Sequence, residues 1–235
     1  MISNSFEFKG LKKFIQEKIL FDNEPSPELF GILTVYFVQG ILGLARLAVS
    51  FFLKDDLGLT PAEVAALTGI SSLPWVIKPL FGFMSDGLPI LGYRRRPYLI
   101  LSGLLGSISW IALATLVNSA LAATIVILLT SLSVAISDVI VDSLIVERAR
   151  EESLSQSGSL QSLSWGASAL GGLITAYFSG LLLEHLSASQ VFEITATFPL
   201  IVSCVAWLIT EEKIDSTNDS TLAIAPVKGQ VKQLW

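Results

Sequence analysis

The chain has few charged residues for its length. Only 15% of its 235 residues are charged, whereas soluble domains carry about 25%. Hydrophobic residues make up 52% of the sequence, and the mean hydropathy is +0.67. This composition excludes an ordinary soluble domain and indicates an integral membrane protein.

Cysteine and histidine are almost absent. The single cysteine, Cys204, cannot form an internal disulfide bond, and the lone histidine, His185, suits a surface position. The sequence also lacks zinc-ligand spacing, a phosphate-binding glycine-rich loop and a nucleophile elbow. We therefore expect no metal, no cofactor, no catalytic residue and no nucleic-acid partner.

Six apolar runs are long enough to cross a membrane as helices, which takes about 20 residues each. Their presence predicts an all-α membrane protein with three parts: an amino-terminal segment 1–28, a six-helix bundle 29–210 and a loop-like tail 211–235. The runs lie near residues 29–53, 62–83, 97–117, 120–146, 159–183 and 191–210.

The distribution of lysine and arginine predicts the orientation of the bundle. Lysines surround an apolar face in the first 28 residues, which is typical of a short helix on the membrane surface, and no secretory cleavage site follows. Because cationic residues collect on the cytoplasmic side, both termini are predicted to be cytoplasmic, with only Lys54 on the other side. The cytoplasmic cations are Lys9, Lys12, Lys13, Lys18, Arg94, Arg95, Arg96, Arg148, Arg150, Lys213, Lys228 and Lys232.

The connection between the second and third runs combines small residues with dense charge. Gly82 precedes Asp86 by four residues, so a neighbouring helix can approach on that side. Asp86 can accept hydrogen bonds from a helix amino terminus or an arginine, as a gate would require. A charged hairpin that only anchors the chain is the alternative. The predicted gating residues are Gly82, Asp86, Gly92, Arg94, Arg95 and Arg96.

Four ionisable residues fall inside the predicted spans: Arg46, Lys78, Asp138 and Asp142. Such residues are costly in hydrocarbon, so they are candidates for substrate binding and proton coupling. Lys78 and Asp138 lie at similar depths, and Asp138 and Asp142 share one helix face, so Lys78 is the nearest candidate cation for both. That shared helix argues against an intramembrane aspartyl protease, which needs opposed aspartates.

Simpler explanations exist for each of these four residues. Lys78 can extend to the headgroups, the aspartates can mark a solvated helix end, and Arg46 can form a structural ion pair. Gln39 and Gln161 can line the same cavity or join helices.

The stretch WVIKPLFGFMSDGLPILGYRRRPY resembles the loop between helices two and three of major facilitator superfamily transporters. It departs from the common form at Gly87, where a basic residue is usual, and by three extra residues before Gly92. Together with ELFGILTVYFVQGILGLARLAVSFFLKDDLGLTPAEVAALTGI, it is similar to the folate-biopterin transporter branch, particularly its cyanobacterial and plastid-type members, with a resemblance from about Pro25 to Trp235.

This resemblance implies the amino-terminal six-helix half of an alternating-access carrier. The implied substrate is folate, a pterin or a related organic anion, and proton symport through Asp138 or Asp142 is one route for coupling. The implied partner is a carboxyl-terminal six-helix half or a second copy. Carriage of another small nutrient and a non-transporting or truncated fragment are the alternatives. We expect a plasma membrane rather than a plastid envelope, because the amino terminus lacks a transit-peptide composition.

Overall fold

The structure is a computed structural model that describes residues 18, 20 and 21, 23–151, and 154–213. The apolar face of the predicted surface helix and the tail after residue 213 lie outside the described residues. Six helical spans are long and apolar enough to cross a membrane, which confirms the six predicted runs. Their bounds are Pro27–Asp56, Pro61–Gly87, Arg96–Thr115, Ala120–Arg148, Gly158–His185 and Ala188–Leu208.

Three of the spans are interrupted. The second span has two breaks, near Ser72 and Ile77, and Pro74 and Pro79 each lack the N–H that a continuous helix needs. The third, fourth and fifth spans are continuous. The helices are Pro27–Ile41, Leu44–Phe51 and the π-helical Phe52–Asp56; Pro61–Ser71, Leu73–Val76 and Lys78–Gly87; Arg96–Thr115; Ala120–Glu151; Leu154–His185; and Ala188–Thr195, Thr197–Val205 and the 3₁₀ turn Ala206–Leu208.

Side-chain caps fix where several spans begin. The Ser26 hydroxyl accepts a hydrogen bond from the Leu29 N–H at 3.1 Å, and Pro27 follows it at the first helical position. Thr60 and Glu63 form a reciprocal capping box at the second span. The spans alternate in direction, and contacts between their ends place the start of the first span beside the end of the fourth. We call this end of the bundle, which contains Arg95 and Arg148, the arginine end.

Two apolar cores lie one above the other within the bundle. The core nearer the arginine end includes Ile32, Leu99 and Ile140 from the first, third and fourth spans. The core at the opposite end is centred on Phe192, whose ring lies 5.5 Å from that of Phe52 and 5.7 Å from that of Trp110. These cores hold the first, third, fourth and sixth spans together.

The first and fifth spans cross at a contact between two glycines. A Cβ atom at Gly171 would collide with the carbonyl oxygen of Phe37, and one at Gly40 would collide with the carbonyl oxygen of Ser168. Thr175 donates to the Gly40 carbonyl at 3.0 Å, beside the break that ends the first helix at Ile41. Only glycine permits this distance between the two backbones.

We expect Gly171→Ala to destabilise the chain by about 2 kcal/mol, because the added methyl forces two helix backbones apart. The matched control is Gly172→Ala, since a Cβ at Gly172 has no atom within 4 Å. Thermal unfolding of the purified chain in detergent measures both. A lower unfolding midpoint for Gly171→Ala alone supports the close glycine contact between the first and fifth spans. Equal unfolding midpoints for the two variants contradict it.

The second and fifth spans lie at the surface of the bundle. The most apolar stretch is 17% buried in the second span and 6% buried in the fifth, against 44–50% in the other four. The small residues Gly158, Ser162 and Gly166 of the fifth span are exposed, and neither glycine has a neighbour within 4 Å of its Cβ position among the described residues. This small-residue stripe is therefore not packed against another helix within the described bundle.

Candidate functional site

Three ionisable side chains from the second and fourth spans meet inside the bundle. The Lys78 ammonium forms ion pairs with Asp138 and Asp142, the latter at 2.7 Å. Asp138 is buried, whereas 42% of the Asp142 side chain is exposed. We call these three residues, with Tyr36 and Gln39, the ion cluster.

Local sequence explains how the lysine reaches both carboxylates. Lys78 is the first residue of the helix Lys78–Gly87, directly after the break at Ile77. Asp138 and Asp142 are four residues apart in the uninterrupted helix Ala120–Glu151, so they project from the same face. Lys78 therefore pairs with carboxylates instead of extending to the headgroups. Neither aspartate lies at a helix end.

Two side chains of the first span complete the ion cluster. The Tyr36 hydroxyl donates a hydrogen bond to Asp142, although Tyr36 was not among the predicted site residues. The sequence contained one indication of this role. A tyrosine within an apolar helix has a buried hydroxyl, and such a hydroxyl needs a hydrogen-bond partner. Gln39 lies beside Asp138, and its buried amide nitrogen makes no hydrogen bond that meets standard geometry among the described residues.

Arg46 is not part of the ion cluster. It is exposed, and among the described residues it forms no ion pair. Ten residues separate it from Tyr36 along the first span, which is about 15 Å at the helical rise. The predicted ionisable residues therefore divide into a paired group and a separate arginine. Their predicted roles in substrate binding and proton coupling remain predictions.

A second ionic group lies at the arginine end. The buried Arg95 side chain contacts Asp86 at 2.8 Å, Glu147 at 2.5 Å and the Ser85 hydroxyl at 3.0 Å. These partners lie on the second and fourth spans, so one guanidinium joins the two spans at this end. Asp86 thus pairs with an arginine, which is one of its two predicted partners. We call Ser85, Asp86, Arg95 and Glu147 the arginine bridge.

The other predicted gating residues surround the arginine bridge. The Arg96 side chain lies over the rings of Tyr93 and Trp207 and donates to the Ile209 carbonyl at 2.7 Å. Arg94 is exposed, and among the described residues its side chain forms no ion pair. The carboxylate of Glu211, which sequence reasoning missed, accepts hydrogen bonds from the backbone N–H groups of all three arginines.

The two predicted glycines have different surroundings. Gly92 has φ +85° and follows Leu91 at φ +54°, so the connection makes a tight turn that favours glycine. At Gly82, a Cβ would lie 3.4 Å from Val139 of the fourth span, which is an ordinary contact. The fourth span does approach Gly82, but this contact does not require glycine. The gating roles remain predictions.

One cavity of about 500 Å³ lies away from both ionic groups, at the end opposite the arginine end. Its mainly apolar wall also includes Asp55, Asp56 and Glu184 and none of the predicted site residues. The ion cluster instead lies beside the exposed surface of the second span. Within the described residues, no three histidine, cysteine, aspartate or glutamate side chains are placed to hold a metal ion.

Comparisons with known proteins give a consistent result. Residues 39–234 match the model of the BT1 family. The chain is 58% identical over 225 residues to a folate-biopterin transporter of Synechocystis sp., covering 96% of this chain and 45% of the relative. It is 36% identical over 181 residues to the probable folate-biopterin transporter 4 of Arabidopsis thaliana, covering 75% of this chain and 37% of the relative.

A third relative is folate transporter 2 of Plasmodium falciparum, with 34% identity over 192 residues, 80% coverage of this chain and 42% coverage of the relative. The chain thus spans less than half the length of each of these relatives. Six apolar spans and relatives that are transporters identify an integral, multi-pass membrane protein.

Proposed function

Because the chain belongs to the BT1 family, we propose that it forms one six-helix half of a membrane carrier for folate, pterins or related organic anions. The carrier works by alternating access and leaves its substrate chemically unchanged. The observation that carries the proposal is Lys78 held between Asp138 and Asp142 inside the bundle. Charged groups are expensive at this depth, so they are retained where they bind a substrate or an ion.

The charge of the ion cluster suits a proton-coupled carrier. One ammonium and two carboxylates have a net charge of −1 when all three are ionised, so one carboxylate remains uncompensated. That carboxylate can accept hydrogen bonds from the amino-pyrimidine edge of a pterin, or it can take up a proton. Lys78 can exchange one carboxylate partner for another as the site fills. Substrate binding is thereby coupled to the relative position of the second and fourth spans.

Arg46 suits the other end of an elongated substrate. Its guanidinium can bind a carboxylate through two parallel hydrogen bonds, and it is exposed with no ion pair among the described residues. The separation of about 15 Å from Tyr36 lets the pterin of folate occupy the ion cluster while the glutamate tail extends toward Arg46. A small pterin without that tail needs only the ion cluster.

The exposed faces of the second and fifth spans receive the other half of the carrier. The low burial of these spans leaves apolar surface and a small-residue stripe for close helix packing. The relatives are more than twice as long as the matched region, which supports a carboxyl-terminal six-helix half as the occupant. A second copy of this chain is the alternative, and it would duplicate every charge at the cavity.

The arginine end faces the cytoplasm of the cell, and the membrane is the plasma membrane. Lysine and arginine collect at this end, as the orientation rule requires. The arginine bridge then closes the cytoplasmic side in one conformation and opens in another.

Competitive uptake tests the substrate class. The test protein is this chain fused to the carboxyl-terminal half of the Synechocystis relative, which we call the joined carrier, in a host deficient in folate transport. We expect excess unlabelled folate and pterin to reduce the uptake of labelled folate, and unrelated organic anions to have no effect. Equal inhibition by unrelated anions would instead favour a carrier of another nutrient.

A further inference from the structure

We propose that Trp75 is the surface on which the flat heterocycle of the substrate stacks, which makes it a specificity-determining residue. This inference rests on the proposed function and deepens it. Trp75 lies in the short helix Leu73–Val76, between the two breaks of the second span. The Lys78 ammonium lies over its ring, 5.7 Å from the centroid. The indole therefore adjoins the ion cluster directly.

The indole is partly exposed in this half of the carrier as well as close to the charges. Of the Trp75 residue surface, 44% is exposed, and 27% of the Lys78 side chain is exposed beside it. Because the Lys78 ammonium adjoins both this ring and the two carboxylates, a planar molecule with its edge at Asp138 or Asp142 would lie beside the ring.

The breaks in the second span explain why an indole can occupy this position. Pro79 has no N–H to donate to the carbonyl of Trp75, four residues earlier. Ile77 has φ −92° and ψ 9°, outside the helical values, so the short helix is not continuous with Lys78–Gly87. The two breaks thus set the orientation of Trp75 separately from the rest of the span.

Comparison with the other exposed tryptophans singles out Trp75. Trp165 and Trp207 are 66% and 68% exposed. Trp207 lies against Arg96 near the arginine bridge. Trp165 has no cation or aromatic ring against it among the described residues. Of these three, Trp75 is the indole placed at the ion cluster.

The chemistry fits a bicyclic, nitrogen-rich ring. A stacked indole contacts the whole face of such a ring, while the carboxylates bind its donor edge, so the two interactions fix different features of one substrate. Stacking of a heterocycle on an aromatic side chain changes affinity by about tenfold in comparable sites. The glutamate tail of folate does not contact the Trp75 ring in this arrangement.

The test measures inhibition of folate uptake in the joined carrier by two probes. One is pterin, and the other is p-aminobenzoylglutamate, which has the tail of folate but no bicyclic ring. For Trp75→Leu we expect the inhibition constant of pterin to rise about tenfold, with that of p-aminobenzoylglutamate unchanged. Trp75→Phe retains a ring and should give an intermediate value. The matched control is Ile108→Ala, which truncates an exposed apolar side chain of the third span and should leave both constants unchanged.

An equal rise for both probes, or an unchanged pterin constant in Trp75→Leu, overturns the inference. If Trp75→Leu is absent from the membrane, the inhibition constant of pterin in Trp75→Phe is the deciding measurement. A rise of about twofold or more supports stacking, and no rise overturns the inference. Failure of the unsubstituted joined carrier to take up folate overturns the proposed function itself, so the two failures are distinct.

Discussion

Replacement of Lys78 by glutamine is expected to lower the initial rate of folate uptake by the joined carrier about a hundredfold. The substitution leaves Asp138 and Asp142 together without their cation, and Asp138 is buried. Two uncompensated carboxylates repel each other and must take up a proton or admit water. Uptake of labelled folate, normalised to the amount of protein in the membrane, measures the effect.

A double substitution separates transport from folding. Lys78→Gln combined with Asp138→Asn restores the net charge of −1 that the unsubstituted ion cluster has when ionised. We expect the double variant to regain membrane abundance and thermal stability but not uptake, because the pair that we propose binds substrate or a proton is gone. Recovery of uptake in the double variant would show that the ion cluster is only structural. We also expect Asp138→Asn to impair uptake more than Asp142→Asn, since Asp138 is the more buried carboxylate.

Replacement of Arg95 by alanine is expected to destabilise the arginine end by about 2 kcal/mol. Arg95 is buried and binds three partners on two spans, but Asp86 and Glu147 are each about half exposed, so solvent reduces the contribution of each ion pair. Thermal unfolding of the purified chain in detergent measures the change. We also expect uptake by the joined carrier to fall about tenfold or more, because the arginine bridge that we propose as a gate could then not close.

The neighbouring arginine supplies a matched control. Arg94→Ala removes the same charge one residue away, but its side chain is exposed and forms no ion pair among the described residues. We expect Arg94→Ala to leave stability and uptake nearly unchanged. Arg95→Lys should behave like Arg95→Ala, since a single ammonium cannot reproduce the guanidinium geometry toward Ser85, Asp86 and Glu147. Equal losses for Arg94→Ala and Arg95→Ala would contradict a specific bridge.

The sequence predicted the spans well because membrane helices must be long and apolar. It also predicted the pairing of Lys78 with Asp138 and Asp142, since depth follows from the helical rise and an opposite charge is the best partner available at that depth. Both predictions depend on one-dimensional quantities: length along a helix and charge.

Contacts that depend on how helices rotate and cross could not be predicted in this way. Tyr36 joins the ion cluster because the first span turns its phenol toward Asp142. Glu211 is brought to the arginines by the packing of the sixth span against the third, although it lies 115 residues or more away in sequence. The glycine contact of Gly40 with Gly171 likewise follows from a crossing angle, whereas the stripe at Gly158 and Gly166 faces outward.

The most direct test of the proposed function compares labelled folate uptake by the joined carrier with uptake by this chain alone, with membrane insertion verified for both. The same carboxyl-terminal half joined to the relative's own amino-terminal half is the positive control. We expect uptake by the joined carrier and none by the chain alone. No uptake by the joined carrier, while the control transports folate, would contradict the claim that this chain is half of such a carrier.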